Sequence, residues 1–330
     1  MGLKWKITFI VFFVLSSFIL SITTGQSSLT LQELWYTFLG EGTNRQELIL
    51  FEFRFPRMLL GFLVGGSLAI SGMLLQVISR NELADPGILG INSGAGLSMM
   101  LFTLFQISSI GVHTFIQPVY ALLGGAIVAC LLFLISFDRN QGIRPTRLIY
   151  TGIAIASAVN AIMIILTYVL EPAKYQMIKV WLAGSINNGT WFHVLALLPW
   201  LCLIVPLLYR RHLSLDIMQF SDATAISLGI FINKFRLFLL VCSVLLAAPA
   251  VSVSGSISFI GLIVPHLVRQ LFGHKYKFLI PANLLIGGGL VVFADAIGKN
   301  VVSGTEIPAG IIVALIGAPY FLYLLIKSYR

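Results

Sequence analysis

The chain has 330 residues, of which 58% are hydrophobic and only 10% charged, and its formal net charge is +9. Soluble domains carry roughly 25% charged residues, so the deficit excludes an ordinary water-soluble fold and places the chain in a bilayer. The positive balance does not mark a nucleic-acid binder, because the basic residues fall in short gaps between apolar runs rather than on one face.

In chain order, apolar runs of about 20 residues, the length that crosses a hydrocarbon core, predict about ten helices. They lie near 5–24, 57–78, 87–106, 115–136, 147–169, 191–209, 234–253, 257–271, 279–298 and 308–327. The first run, behind Lys4 and Lys6, has the outline of a secretory signal. No small-x-small cleavage site follows it, so it reads as a retained helix. The second run is rich in glycine, as suits a helix packed closely against others in lipid. It exits through a polar turn, Ser79 to Asp85. Cys130, Cys202 and Cys242 lie inside apolar runs and read as small buried hydrophobes. No stretch is long or polar enough for a separate soluble domain, so residues 1–330 are expected to form one all-α transmembrane domain.

The charges set a direction. With ten spans, fifteen of the 21 basic residues fall in one set of loops, among them Lys4, Lys6, Arg80, Arg139, Arg144, Arg147, Arg210, Arg211, Lys275 and Arg330. The other set holds only Arg45, Arg54, Arg57, Lys174, Lys179 and Lys299. By the positive-inside rule the first set is cytoplasmic, which puts both termini in the cytoplasm of a multi-pass cell-membrane protein. The outer loops collect acids, including Glu41, Glu47, Glu52, Asp295 and Glu306, so the outer cations need a reason.

Arg54-Phe55-Pro56-Arg57 stands at the outer mouth of the second helix. Arginine snorkels at helix ends, which is one reading. The other is recognition, since Pro56 fixes the backbone and guanidiniums pair carboxylates through two hydrogen bonds. Asp295 lies in an apolar run, where an ionisable residue is a functional suspect. It also precedes Lys299 by one helical turn, so an i,i+4 ion pair at the outer end is the simpler account. His266 has no second ligand nearby and reads as structural, and no metal site is expected.

The motifs resemble one family over nearly the whole chain. Arg54-x-Pro56-Arg57 is followed by Gly65, Ala69, Gly72 and Gln76, then by Asn81, Leu83-Ala84-Asp85-Pro86, Leu89-Gly90 and Gly94-Ala95. Further on come Trp181-Leu-Ala-Gly184-Ser185, Asp222-Ala223-Thr-Ala225-Ile-Ser-Leu228-Gly229 and Gly255-x-Ile257-x-Phe259-x-Gly261-Leu262-x-x-Pro265-His266-x-x-Arg269. Glu306-Ile-Pro308-x-Gly310 and Gly317-Ala-Pro319-x-Phe321 close the series. In this order they resemble the FecCD/BtuC-type permeases, membrane subunits of ABC importers for iron-siderophores, haem and cobalamin.

The resemblance implies ten helices with cytoplasmic ends, the topology that the charges give independently. It implies that Arg54 and Arg57 receive acidic residues of an extracytoplasmic binding protein, with Lys299 at a further basic position of that surface. It makes residues 214–231 a coupling segment toward an ATPase, carried by Asp222, Ala223, Ala225, Leu228 and Gly229. It places Pro145-Thr146 near an inner gate, although a proline that starts a helix predicts the same residues. The implied partners are a second permease, two ATPase subunits carrying ATP and magnesium, the binding protein and membrane lipid, with no cofactor on this chain. Two departures stand out. Lys299 lacks the bidentate fork of arginine, and Glu82 occupies a place where the family usually has proline.

The chain itself is not expected to be an enzyme. Its sole Gly-Lys, Gly298-Lys299, lacks the upstream glycine and the following hydroxyl of a phosphate-binding loop, so ATP would be hydrolysed elsewhere. An ion-coupled transporter would need a carboxylate relay near the midplane, and Asp295 near one end is poor support. An intramembrane hydrolase would need a nucleophile with a base, and His266 has none evident. Ferric siderophores are the commonest cargo in the family and are the expected substrate; haem and cobalamin are the alternatives.

Overall fold

The computed structural model describes all residues except 1, 26–30, 106–112, 139–141, 303–304 and 329–330. Arg139 and Arg330 of the basic set therefore lie outside the described residues. The ten expected runs correspond to α1 (Leu3–Thr23), α4 (Phe55–Ser79), α5 (Ile91–Phe105), α6 (His113–Ser136), α7 (Pro145–Thr167), α9 (Trp191–Arg210), α12 (Ile232–Ser254), α13 (Ile260–Phe272), α14 (Tyr276–Gly298) and α15 (Ala309–Ser328). Among the described residues seven helices are long and apolar enough to cross a membrane, while α5, α13 and the described part of α15 are shorter apolar helices.

Elements that the sequence did not announce fill the gaps. They are α2 (Leu31–Phe38), α3 (Asn44–Glu47), α8 (Pro172–Leu182), α10 (His212–Ile217) and α11 (Asp222–Ser227). A π-helical turn, Leu48–Arg54, joins α3 to α4, so that Asn44–Ser79 is one helical run. The only strands among the described residues are the two-residue β1 (Phe137–Asp138) and β2 (Gly142–Ile143), paired antiparallel ahead of α7.

Helix starts follow local chemistry. Thr43 and Gln46 form a reciprocal capping box at α3, Pro145 opens α7 from its first turn, and Ser221 accepts the Thr224 N–H to cap α11. Prolines inside α9, α12 and α14 each remove a donor from the helix ladder; of these Pro249 of α12 is buried in the body.

Helix α4 is the centre of the body. It packs against α14, α12, α13 and α9, and from Leu63 to Ser79 only buried residues occur. The small residues expected there serve close approach: a Cβ on Gly65 would overlap the Gly287 carbonyl of α14, and one on Gly72 would overlap the Gly261 backbone of α13. Ser71 and Ser243 exchange buried hydroxyl hydrogen bonds between α4 and α12, a polar join of the kind that holds helices together in lipid. Helix α1 lies against α14, with Phe13 facing Phe293, and touches α4, with Phe18 facing Phe62.

The starts of two helices differ from expectation. The turn after α4 climbs back along it, so that Asp85 and Pro86 sit beside Gly261, level with Leu68 of α4. Helix α5 thus begins at Ile91 inside the body rather than at 87 on its edge. The Gly255–Phe259 reversal, with left-handed backbone at Gly255 and Phe259, likewise starts α13 in the interior. Each helix is short because its first turn is replaced by an irregular segment that protein, not lipid, surrounds.

Candidate functional site

At the end of the body where α4 begins, side chains from α14 and from the segments ahead of α9 and α15 converge on Arg57. Arg57 grips the Asp295 carboxylate of α14 with Nε (3.1 and 3.2 Å) and Nη2 (2.7 Å). Lys299 closes the other side at 2.7 Å, the i,i+4 pair that the spacing predicts. Arg57 Nη1 also donates to Glu306 at 3.0 Å, ahead of α15, and Nη2 donates to Asn187 Oδ1 at 2.8 Å, ahead of α9. The side chains are only 12% (Arg57), 2% (Asp295) and 7% (Lys299) exposed, and Glu306 is the outermost at 26%. A buried carboxylate between two cations is costly to dismantle, about 3–5 kcal/mol when one partner is removed.

Arg54 turns inward at the end of the π-helical turn, and its guanidinium donates to the Ile22 carbonyl of α1. All three cations that the sequence singled out therefore meet here, but as groups engaged within the fold rather than free side chains. Together they wall a cavity of about 1100 Å3 with Glu52, Glu306 and Trp191, and Trp191 donates from its indole to Phe51 on the rim. Sequence reasoning paired Asp295 with Lys299 and counted Glu306 among the outer acids, but it missed that both join Arg57, and it missed Asn187.

At the opposite end, Asp222 in the first turn of α11 accepts from Arg80, at the end of α4, at 2.5 Å, and from Arg236 of α12 at 2.9 Å. Arg80 has left-handed backbone, φ 49°, which terminates α4 and aims its side chain at Phe220 O (2.7 Å) as well. Gly229, φ 86°, ends α11: its N–H reaches Ile226 O, and the Ile230 N–H reaches Ala225 O, a Schellman closure. Ala225 is buried under the turn, while Ala223 and Leu228 are exposed, as are the large apolar side chains of Phe220, Ile226 and Phe231. The segment is tied to the start of α14, where Asp216 accepts the Tyr276 N–H at 2.8 Å and Gln219 donates to His274 O at 2.8 Å.

Between these ends runs a third set of motif residues. Gln76 donates to Gly261 O and accepts from Arg269 at 2.6 Å. Asn81 and Asp85 build the interior turn, accepting the Leu83 and Gly87 N–H groups respectively, and Gly90 supplies positive φ before α5. Glu82, in the place of the usual proline, bonds His266 at 3.2 Å and faces Arg269 at 3.6 Å. The hydrogen bond to His266 holds its carboxyl below the usual range. An ionic tie to α13 thus stands where a ring would stiffen the turn. His266 also contacts Gln270. Pro265 lies buried inside α13. Pro145 and Thr146 form the start of α7, half-buried and exposed, beside the Arg147–Asp138 pair at 3.6 Å.

Comparison with known proteins adds identity to this geometry. The profile of the FecCD transport family matches residues 12–327. The iron(3+)-hydroxamate import system permease protein FhuG of Bacillus subtilis is 38% identical, with 98% of this chain and 96% of that protein covered. The iron-uptake system permease protein FeuC of the same organism is 40% identical, covering 99% and 98%. The hemin transport system permease protein HmuU of Yersinia pestis is 35% identical, covering 93% and 91%. Among solved structures, an ABC transporter described as of metal-chelate type, in an inward-facing conformation, superposes with a TM-score of 0.86 at 29% identity, covering 98% and 99%. The chain is an integral membrane protein and belongs to the FecCD transport family of ABC importer permeases.

Proposed function

We propose that this chain is the transmembrane permease of an ATP-driven, binding-protein-dependent importer whose cargo is a ferric siderophore. The observation that carries the reading is agreement over nearly the full length with import permeases named for iron(3+)-hydroxamate and for iron uptake; relatives named for hemin and vitamin B12 make haem and cobalamin the alternatives. In this reading the Arg57 end faces outward, both termini and the Asp222 end face the cytoplasm, and the protein resides in the cell membrane.

The chemistry of the two ends supports this division. The rim of Arg54, Arg57 and Lys299 attracts acidic groups of a binding protein, with the partly exposed Glu306 as the internal carboxylate they would displace. The exposed apolar side chains around α11, held on short capped turns, suit the cleft of an ATPase that binds ATP and magnesium. A second permease and two ATPase subunits complete the assembly. ATP-driven closure of the ATPases would move α10 and α11 and alternate access between the faces.

The test is uptake of a ferric hydroxamate into proteoliposomes holding the reconstituted complex. Uptake is expected only with binding protein outside and ATP inside. Accumulation driven by a proton gradient without ATPase subunits would overturn the reading.

A further inference from the structure

Helices α9 and α12 touch, and the chain between them carries α10 and α11. Arg211, the residue that ends α9, lays its guanidinium over the Phe238 ring of α12, 5.9 Å from the centroid. Lys234 precedes Phe238 by one helical turn, so the two share a face of α12. Its ammonium stands 5.5 Å from the Phe231 ring centroid. Attraction to ring faces thus holds both cations at one corner, and both residues are exposed. Among the described residues neither forms an ion pair. The acids of this end, Glu82, Asp138, Asp216 and Asp222, are each engaged by other groups.

The faces that carry these cations continue as apolar surface. Leu207 and Leu203 lie four and eight residues before Arg211, and Leu237 and Val241 lie three and seven after Lys234; all four are exposed. Helical spacing sets each pair on the same side as its cation. A cationic head above an apolar strip fits an anionic amphiphile with long chains. We propose that the α9–α12 corner is a site for an anionic phospholipid, its phosphate on Arg211 and Lys234 and its acyl chains along the strip. A soluble anion would use the cations and leave the strip bare. Because residues 212–231 leave the body at Arg211 and return near Lys234, a lipid here would bridge both roots of that segment. Only placing this lipid in the cytoplasmic leaflet rests on the importer reading; the headgroup chemistry stands on the corner itself.

The experiment uses the purified full-length chain in phosphatidylcholine vesicles, without ATPase or binding protein, so its failure is separable from failure of the transport reading. The exposed Cys130 and Cys202 are replaced by alanine, and Leu237→Cys carries a fluorescent maleimide. Phosphatidylglycerol and phosphatidylcholine, each brominated in the acyl chains, are compared as quenchers at equal mole fraction. The anionic lipid is expected to bind more tightly at this reporter, by about fivefold for each cation. A reporter at Leu195→Cys, exposed near the far end of α9, should not discriminate between the lipids. Arg211→Gln and Lys234→Gln should each lower the preference about fivefold, whereas Arg211→Lys should keep it. Equal quenching by the two lipids at Leu237→Cys, with both cations intact, overturns the proposal whichever variants fold, and would leave the cations to a protein partner. Loss of the preference with inorganic phosphate, but not with chloride at equal ionic strength, would assign the cations to a soluble anion and overturn the lipid site.

Discussion

Asp295 is the residue on which the Arg57 end depends. Among the described residues it alone pairs with both Arg57 and Lys299, so Asp295→Ala strips Lys299 of its ion pair and leaves Arg57 only Glu306 and Asn187, whereas Arg57→Ala leaves the carboxylate paired with Lys299. The expected order in thermal unfolding of the purified protein is a loss of about 3–5 kcal/mol for Asp295→Ala and a smaller loss for Arg57→Ala. The reverse order would show that Arg57 is held mainly by Glu306 and Asn187. The i,i+4 relation of Asp295 to Lys299 was legible in the sequence because it is local. The pairing with Arg57 was not, since the two residues are 238 positions apart and no periodicity links them. The same distance effect hid Arg80, 142 positions from Asp222; Arg236 is only 14 away but sits on a different helix, so no helical spacing links the two. Glu82 stood out in the sequence only as a departure, and its salt link to α13 became readable once the turn was seen to fold back toward His266.

Among the elements, α4 is the most constrained. Gly72→Ala drives a methyl group into the Gly261 backbone, and neither backbone can retreat without separating α4 from α13. Overpacking of this kind costs about 1–3 kcal/mol, occasionally more. A control is Gly229→Ala, where nothing lies within 4 Å of the added methyl but φ is 86°. It should cost only about 1 kcal/mol for the left-handed cap. Thermal midpoints should therefore fall further for Gly72→Ala than for Gly229→Ala; a larger fall for Gly229→Ala would show that the α4–α13 contact yields. Glycine content announced this helix. What composition did not announce was where α5 and α13 begin, because an apolar run reads alike whether it enters from the surface or from an interior reversal. The short helices α2, α8, α10 and α11 escaped for a related reason: they are too brief for hydropathy to separate from loops.

For the whole molecule, the asymmetry of basic residues makes a prediction about sidedness. In a background without native cysteines, Glu41→Cys should react with a membrane-impermeant maleimide on intact cells, and Ser227→Cys only after the membrane is opened. Labelling in the opposite pattern would invert the topology. The topology expectation drew on charge counting and on the resemblance together, and each expected run falls on a helix of the structure. The end at which motif residues gather was legible. Their engagement with one another, rather than with solvent, was not.

One consequence of α4 lies in its two ends. Its 25 residues span about 37 Å at 1.5 Å per residue, and ion pairs clamp both tips: Arg57 to Asp295 and Glu306, Arg80 to Asp222. Backbone-to-backbone contacts with α13 and α14 leave its middle no room to bend. A rod so fixed is expected to act as a strut, so that a tilt of α11 at one end would displace the Asp295 cluster at the other. Glycine contacts along its length and ion pairs at its tips join the two ends.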